Sequence, residues 1–251
     1  PLAVQLFGED PDYMFRAVEL IRSLGFEFDA IDINMGCPAR KIVSQGAGGA
    51  LIKDPSRAAE IVQAVKSASC LPVSVKIRIG WTDSNSAVHI AQSICEAGAD
   101  LLVVHGRTVS QGYSGKSDWA SVARIASSVN VPVVGNGDIA CPKEALDRIG
   151  SSGCAGVMVG RGILGNPFFF EQLLSIINGK EPMLPVDADK LRAAAIHLRR
   201  AAEEYGERKA LKEMKKHFSF YLKGIKGAAK MRDAVNQSRS IDEIIAVLLP
   251  A

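Results

Sequence analysis

The stretch Asp32-Ile33-Asn34-Met35-Gly36-Cys37-Pro38, followed shortly by Gln45-Gly46-Ala47-Gly48-Gly49-Ala50, decides how the chain is read. Residues 30–33 form a short, mostly apolar run, which delivers a side-chain amide and a thiol to its own C-terminal tip. Parallel α/β proteins keep their chemistry at that tip, where loops are carried by a rigid sheet. A cysteine between a glycine and a proline, taken alone, is ordinary turn material. Its meaning changes when the ends of the other strands are read with it.

Outward from this stretch, short β-rich runs at 2–7, 30–33, 73–79, 101–105, 131–134 and 156–159 alternate with helical patterns at 14–24, 58–67, 87–97, 119–128, 143–149 and 167–178. Gly25, Gly98 and Gly150 close three of the helical patterns, as a C-cap requires. Most strand starts recur about every 25 to 30 residues, the length of a βα unit. The chain is therefore α/β with six parallel units visible.

Two architectures accommodate such a string. A doubly wound nucleotide-binding sheet carries G-x-G-x-x-G after its first strand, whereas Gly46, Gly48 and Gly49 lie in a loop beyond the second. Nearly every strand ends in a polar group or glycine: Gln5, Asn34, Lys76 with Arg78, His105, Asn136, and Gly160 with Arg161. Polar groups converging from successive strands describe the mouth of a (β/α)8 barrel of the TIM type. Residues 1–180 hold only six units, and complete barrels take roughly 200 residues or more. Two leading units are expected to be missing.

The 251 residues are 47% apolar and 23% charged, an ordinary globular composition. There is neither an apolar run of about 18 residues nor a basic-then-apolar leader, so no membrane is expected and the cytoplasm is the expected location. Five cysteines (37, 70, 95, 141, 154) without a Cys-x-x-Cys pair or a suitably spaced His point to reduced thiols and no metal. Charge divides unevenly: residues 1–185 hold 16 Lys/Arg against 18 Asp/Glu, whereas 186–251 hold 14 against 9. A basic tail favours a polyanionic partner over a solvated lysine face only in company with other evidence.

Glu181-Pro182-Met183-Leu184-Pro185 breaks the pattern and serves as a linker to a small all-helical domain at 186–251. Asp187 or Asp189 caps a helix to about 205, a second pattern runs 207–223, and a third follows. Lys209, Lys212, Lys215, Lys216 and Lys223 crowd the second, and Lys226, Lys230 and Arg232 continue the basic stripe. Phe218, Phe220 and Tyr221 fall at helix-packing spacing and read as bundle core. The cations suit an RNA backbone.

Individual residues admit two readings each. Lys76 and Arg78, two apart on one strand, reach the same end of a barrel, either toward a ligand or as a snorkelling pair. His105 ends the apolar run Leu101-Leu102-Val103-Val104, as a core histidine or as a site residue. Asn136-Gly137-Asp138 and Gly160-Arg161 occupy the two loops in which barrels hold phosphate, where glycines let the backbone approach an anion. The long polar loop Arg107-Thr108-Val109-Ser110-Gln111-Gly112-Tyr113-Ser114-Gly115 is suited to substrate, with Tyr113 able to stack on a base.

Taken together, Asp32 to Pro38, the Gly-Ala-Gly-Gly-Ala loop, Val75-Lys76-Ile77-Arg78, His105-Gly106-Arg107-Thr108, Gly135-Asn136-Gly137-Asp138 and Val159-Gly160-Arg161-Gly162 resemble the tRNA-dihydrouridine synthases, with the bacterial B-type branch nearest. The resemblance spans residues 4 to about 236, with the motifs in the family's order. It implies an FMN-binding barrel followed by a helical domain that grips tRNA, reducing particular uridines with NADPH. It further implies Cys37 as the general acid at uracil C5, and Gln5, Lys76 and His105 as flavin contacts. The phosphate falls to Asn136, Gly137, Asp138, Gly160 and Arg161. Asn34, Arg78, Arg107, Tyr113, Lys216 and Arg232 are left for substrate, and the state expected is monomeric. The family pattern has two further N-terminal strands, so Pro1 falls at its third. Two other readings stay open: an FMN barrel acting on a small metabolite, and a flavin-free truncated RNA-binding paralogue.

Overall fold

The computed structural model describes residues 1–250. Six strands form one parallel sheet in the order β1 to β6: β1 (Ala3–Leu6), β2 (Ala30–Met35), β3 (Val73–Arg78), β4 (Leu101–His105), β5 (Val133–Asn136) and β6 (Gly156–Met158). The connecting helices are α1 (Pro11–Ser23), α2 (Arg40–Val43), α3 (Pro55–Ala68), α4 (Ala87–Glu96), α5 (Trp119–Ala126) and α6 (Pro142–Ser152), and α7 (Phe169–Ile177) follows β6. Then come α8 (Asp187–Tyr205), α9 (Glu207–Tyr221), α10 (Ala228–Gln237) and α11 (Ile241–Leu248). The chain divides into two units, Pro1–Ile139 with Asp147–Val159, and Ala140–Leu146 with Gly160–Ala251.

In the sheet unit, side chains alternate between faces. Ile31, Ile33, Met35, Val73, Val75, Ile77, Leu102, Val104 and Val133 are buried, giving one nearly continuous apolar face. Helices α1, α3, α4 and α5 pack side by side in chain order, burying Val18, Ile61, Val62, Val65, Ile90, Ile94, Val122 and Ile125. The intervening positions carry Asp32, Asn34, Ser74, Lys76, Arg78, His105 and Asn136. The sheet is thus apolar on the helix side, while its other face mixes these polar groups with Leu101, Val103 and Val134. Strand register aligns Gln5 with Asp32 and Ser74, Asn34 with Lys76, and Arg78 with His105 and Asn136.

Helix boundaries follow local chemistry. Asp10, Asp54 and Asp118 cap α1, α3 and α5, their side chains accepting from the N–H groups of Tyr13, Arg57 and Ser121. Gly25 and Gly98 have positive φ beyond their helices, as expected, but α6 runs through Gly150, and the left-handed glycine there is Gly153.

In the helical unit Leu198, Met214, Phe218, Leu222, Val235, Ile244 and Leu248 form a continuous buried cluster. Phe218 and Tyr221 are buried in it, whereas Phe220 is 42% exposed. Asp189 accepts from the Val186 N–H at 3.1 Å, reaching back to the start of α8 from its third residue. Helix α11 escaped the sequence reading. Its signal is Ser240, whose hydroxyl accepts from Glu243 N, while Glu243 takes the Arg239 N–H at 2.7 Å. Among the described residues no helix is long and apolar enough to cross a membrane.

Candidate active site

The tip of β2 is an amide-locked turn. Asn34 Oδ1 accepts from Gly36 N at 3.1 Å and from Cys37 N at 3.0 Å, so the side chain stands in for a backbone carbonyl and fixes the backbone that carries the thiol. The glycine loop is pressed against this turn. Gly49 N donates to Cys37 O at 3.0 Å, and a Cβ at Gly49 would sit 2.9 Å from both that oxygen and Val109 Cγ2. Gly48, with φ +58, comes as close to Ile42 and Cys37. Those glycines are therefore packing requirements of the Cys37 turn. Cys37 itself is part-exposed and joined in no disulfide.

Beside it lies a line of amides and hydroxyls. Asn34 Nδ2 donates to Gln5 Oε1 (3.0 Å), Gln5 Nε2 to Asp32 Oδ2 (2.6 Å), and Ser74 Oγ to Asp32 Oδ1 (2.6 Å). Asp32 and Ser74 were missed as site residues by the sequence reading. A carboxylate in a strand otherwise made of Ala, Ile, Asn and Met, in register with Gln5 and Ser74, was the signal available.

The next strands supply cationic and imidazole groups. Lys76 reaches Asn136 Oδ1 at 3.4 Å, and Asn136 in turn donates to Met158 O at 2.7 Å. Burial and the charge of Arg78 lower the Lys76 ammonium to about 8, partly offset by Asp32. Arg78 is buried, donating from Nε to Gly36 O at 2.8 Å and from Nη1 to Thr108 O at 2.9 Å and Gly112 O at 2.6 Å. It ties the Cys37 turn to the loop after β4. His105 is pushed down to about 3 by burial and by the charges of Arg78, Lys76 and Arg107, so its imidazole is neutral at physiological pH. Arg107 Nη1 lies 3.3 Å from His105 Nε2, and guanidinium can only donate; Nε2 is therefore the acceptor and Nδ1 carries the hydrogen.

Arg107, buried, is the fastener of the β4 loop. It holds Ser114 O (3.0 Å), Gly115 O (2.7 Å), Ser117 Oγ (3.1 Å) and Asp138 (2.7 and 2.8 Å). Burial pushes the Asp138 carboxyl up, but the Arg107 bond and the Ser117 N–H outweigh it, leaving it below the usual range. Gly137, at φ +123, has no room for a Cβ, which would lie 2.2 Å from Ser117 Oγ and 2.9 Å from His105 Cδ2. Gly135 faces Trp119, whose Nε1 donates to Gly137 O at 3.0 Å. Tyr113, 63% exposed, has the Arg78 guanidinium 5.5 Å from its ring and His105 at 6.5 Å.

The structure thus gathers Gln5, Asn34, Cys37, Lys76, Arg78, His105, Arg107, Tyr113, Asn136, Gly137 and Asp138 along one end of the sheet. Gly160 and Arg161, at the short turn Arg161–Ile163, belong to the helical unit, as do the exposed Lys216 on α9 and Arg232 on α10. The donor set suits an anionic or carbonyl-rich planar ring: Lys76 loses proton affinity by burial beside Arg78, a cost that an incoming negative charge relieves. The residues present therefore fit a flavin. Among the described residues no group of three or more His, Cys, Asp or Glu is arranged to hold a metal ion.

Comparison with known proteins gives the same direction. A family model described as "Dihydrouridine synthase (Dus)" matches residues 1–249. A Synechocystis protein named "Probable tRNA-dihydrouridine synthase 1" is 38% identical over 245 residues, covering 97% of this chain and 68% of that protein. Proteins named "Probable tRNA-dihydrouridine synthase" from Rickettsia conorii (37% identical; 93% of this chain, 70% of that one) and Rhodobacter capsulatus (38%; 92% and 71%) are similarly related.

Proposed function

The chain belongs to the dihydrouridine synthase family, and from that premise we propose that it reduces uridine in tRNA to 5,6-dihydrouridine, with FMN as the bound cofactor and NADPH as reductant, in the cytoplasm. The observation that carries the reading is the thiol turn of β2, whose Asn34 pairs in register with the part-buried ammonium of Lys76, at the same sheet end as a neutral imidazole. Bound FMN, once reduced, supplies the hydride for the uracil double bond.

The protein's own part is proton delivery and charge placement. Cys37 Sγ–H gives its proton to uracil C5, the carbon left electron-rich when C6 receives hydride. Asn34 fixes the backbone that carries this thiol, and Arg78 fastens the same turn through Gly36 O. Lys76 and Gln5 hold the flavin ring, and neutral His105, with its hydrogen on Nδ1, offers a donor without adding charge. Tyr113 offers an exposed ring to a base that has left its stack. Asn136, Gly137 and Asp138 are proposed phosphate contacts of the sheet unit, and Gly160 and Arg161, in the helical unit, are proposed separately as anion contacts; residues 1–180 are proposed as the catalytic domain and 186–251 as the tRNA-binding one, with Lys216 and Arg232 on RNA.

The deciding experiment uses an unmodified tRNA transcript and follows dihydrouridine by mass spectrometry. Cys37→Ala is expected to leave FMN binding and NADPH oxidation in place while slowing dihydrouridine formation at least about a hundredfold, the usual worth of a positioned acid. Turnover equal to the parent protein would remove the proton-donor role from Cys37.

A further inference from the structure

We propose that Asp32 is a positioning residue whose carboxylate dictates which way two side-chain amides point, first Gln5 and then Asn34, and so holds the backbone of Cys37. The proposal rests on the reading of Cys37 as proton donor and states how that donor is kept in place.

The argument is one of polarity. A carboxylate accepts hydrogen bonds and cannot donate them. With Asp32 Oδ2 2.6 Å from its Nε2, Gln5 must present its NH2 group to Asp32, which turns Oε1 toward Asn34. Asn34 answers with Nδ2 at 3.0 Å, so its own oxygen faces the other way and takes the Gly36 and Cys37 N–H groups. Backbone N–H groups at one end demand an acceptor; the carboxylate at the other demands a donor. Two amides joined in series satisfy both ends in only one orientation. Reversing either would set like groups face to face at a part-buried contact.

Position explains why the carboxylate sits there. Gln5, Asp32 and Ser74 are neighbours across β1, β2 and β3, and the Ser74 hydroxyl occupies the second carboxylate oxygen. Asp32 is 8% exposed, so an anion at this place is costly unless every lone pair has work. An apolar residue would cost less and would leave Gln5 free to turn over.

The test reads amide hydrogen exchange of Gly36 and Cys37 by NMR in the ligand-free protein. In Asp32→Leu Gln5 loses the acceptor that fixes its NH2 group and is free to turn over, and exchange at both positions is expected to accelerate at least about tenfold, the worth of one lost hydrogen bond. In the double variant Asp32→Leu with Gln5→Glu, the acceptor-only group moves one place along the chain, and Asn34 again donates to it; protection is expected to return. A merely structural carboxylate gives no such rescue. Should Asp32→Leu fail to fold, Gln5→Met at the exposed strand cuts the same chain and is expected to raise exchange equally. Unchanged exchange in the single variant that folds, or no recovery in the double variant, would overturn the proposal. Because the readout needs neither cofactor nor tRNA, its failure is distinct from normal turnover in Cys37→Ala, which would sink only the proton-donor reading.

Discussion

A single lysine shows how the site's charge is balanced against the fold. Burial and Arg78 bring Lys76 down to about 8, against 10.5 in an unfolded chain. Below pH 8 both states are protonated and the folded one bears the full cost. Between about 8 and 10.5 the unfolded state holds the extra proton, so stability of the ligand-free protein rises with pH across that window. Lys76→Met is expected to be more stable than the parent at pH 7, to lose this rise, and to bind FMN far more weakly; urea midpoints at pH 7 and 9.5 and a flavin titration check it. His105 acts with the same sign in an acid window. Held near 3 in the fold and near 6.5 outside it, it lowers stability as pH falls from about 6.5 toward 3. At this scale Cys37, Lys76 and His105 were legible, because a thiol, a cation and an imidazole at the ends of apolar strands need a reason. The occupations of Arg78 and Arg107 were not, since their partners are backbone carbonyls that no side-chain pattern announces.

At the scale of an element, the loop between β4 and α5 is held by one side chain. Arg107 binds two of its carbonyls, its Ser117 hydroxyl and Asp138, so the loop is clamped from beneath while Lys116 and Tyr113 face solvent. Arg107→Lys keeps the charge but loses the fork that reaches four places. Trypsin is then expected to cut at Lys116 at least about tenfold faster, with little change in circular dichroism, a sign of local rather than global opening. Cleavage at the parent rate would show the loop to be held otherwise. Most elements were readable from periodicity and capping, and their ends were off by one to three residues. The short helix α2, the turn Gly48–Lys53 and α11 were not read: α2 is four residues, too short for a period, and the glycine-rich turn packed on Cys37 carries no apolar period of its own.

For the whole molecule, the two units divide the work by charge and by order. Lys212, Lys216, Lys223, Lys226, Lys230 and Arg232 are exposed on the helical unit, while its apolar side chains are consumed in its own core. Binding to tRNA is expected to weaken steeply with salt, and Lys212→Ala with Lys226→Ala to reduce the slope of log K against log salt by about 2 without changing which uridine is reduced. Filter binding between 50 and 200 mM salt measures this; an unchanged slope would place the RNA contact elsewhere. The basic bias and the polar strand ends were visible in the sequence, but which of those polar groups become neighbours was not, because register decides that. That register also has a temporal meaning. Each strand pairs with the strand made just before it, and the widest gap is the 42 residues from Ile31 to Val73. A nascent chain leaving the ribosome can therefore add its sheet one strand at a time, each newcomer meeting an edge already waiting, so that from β1 to β5 the growing edge waits no longer than the next βα unit takes to be translated.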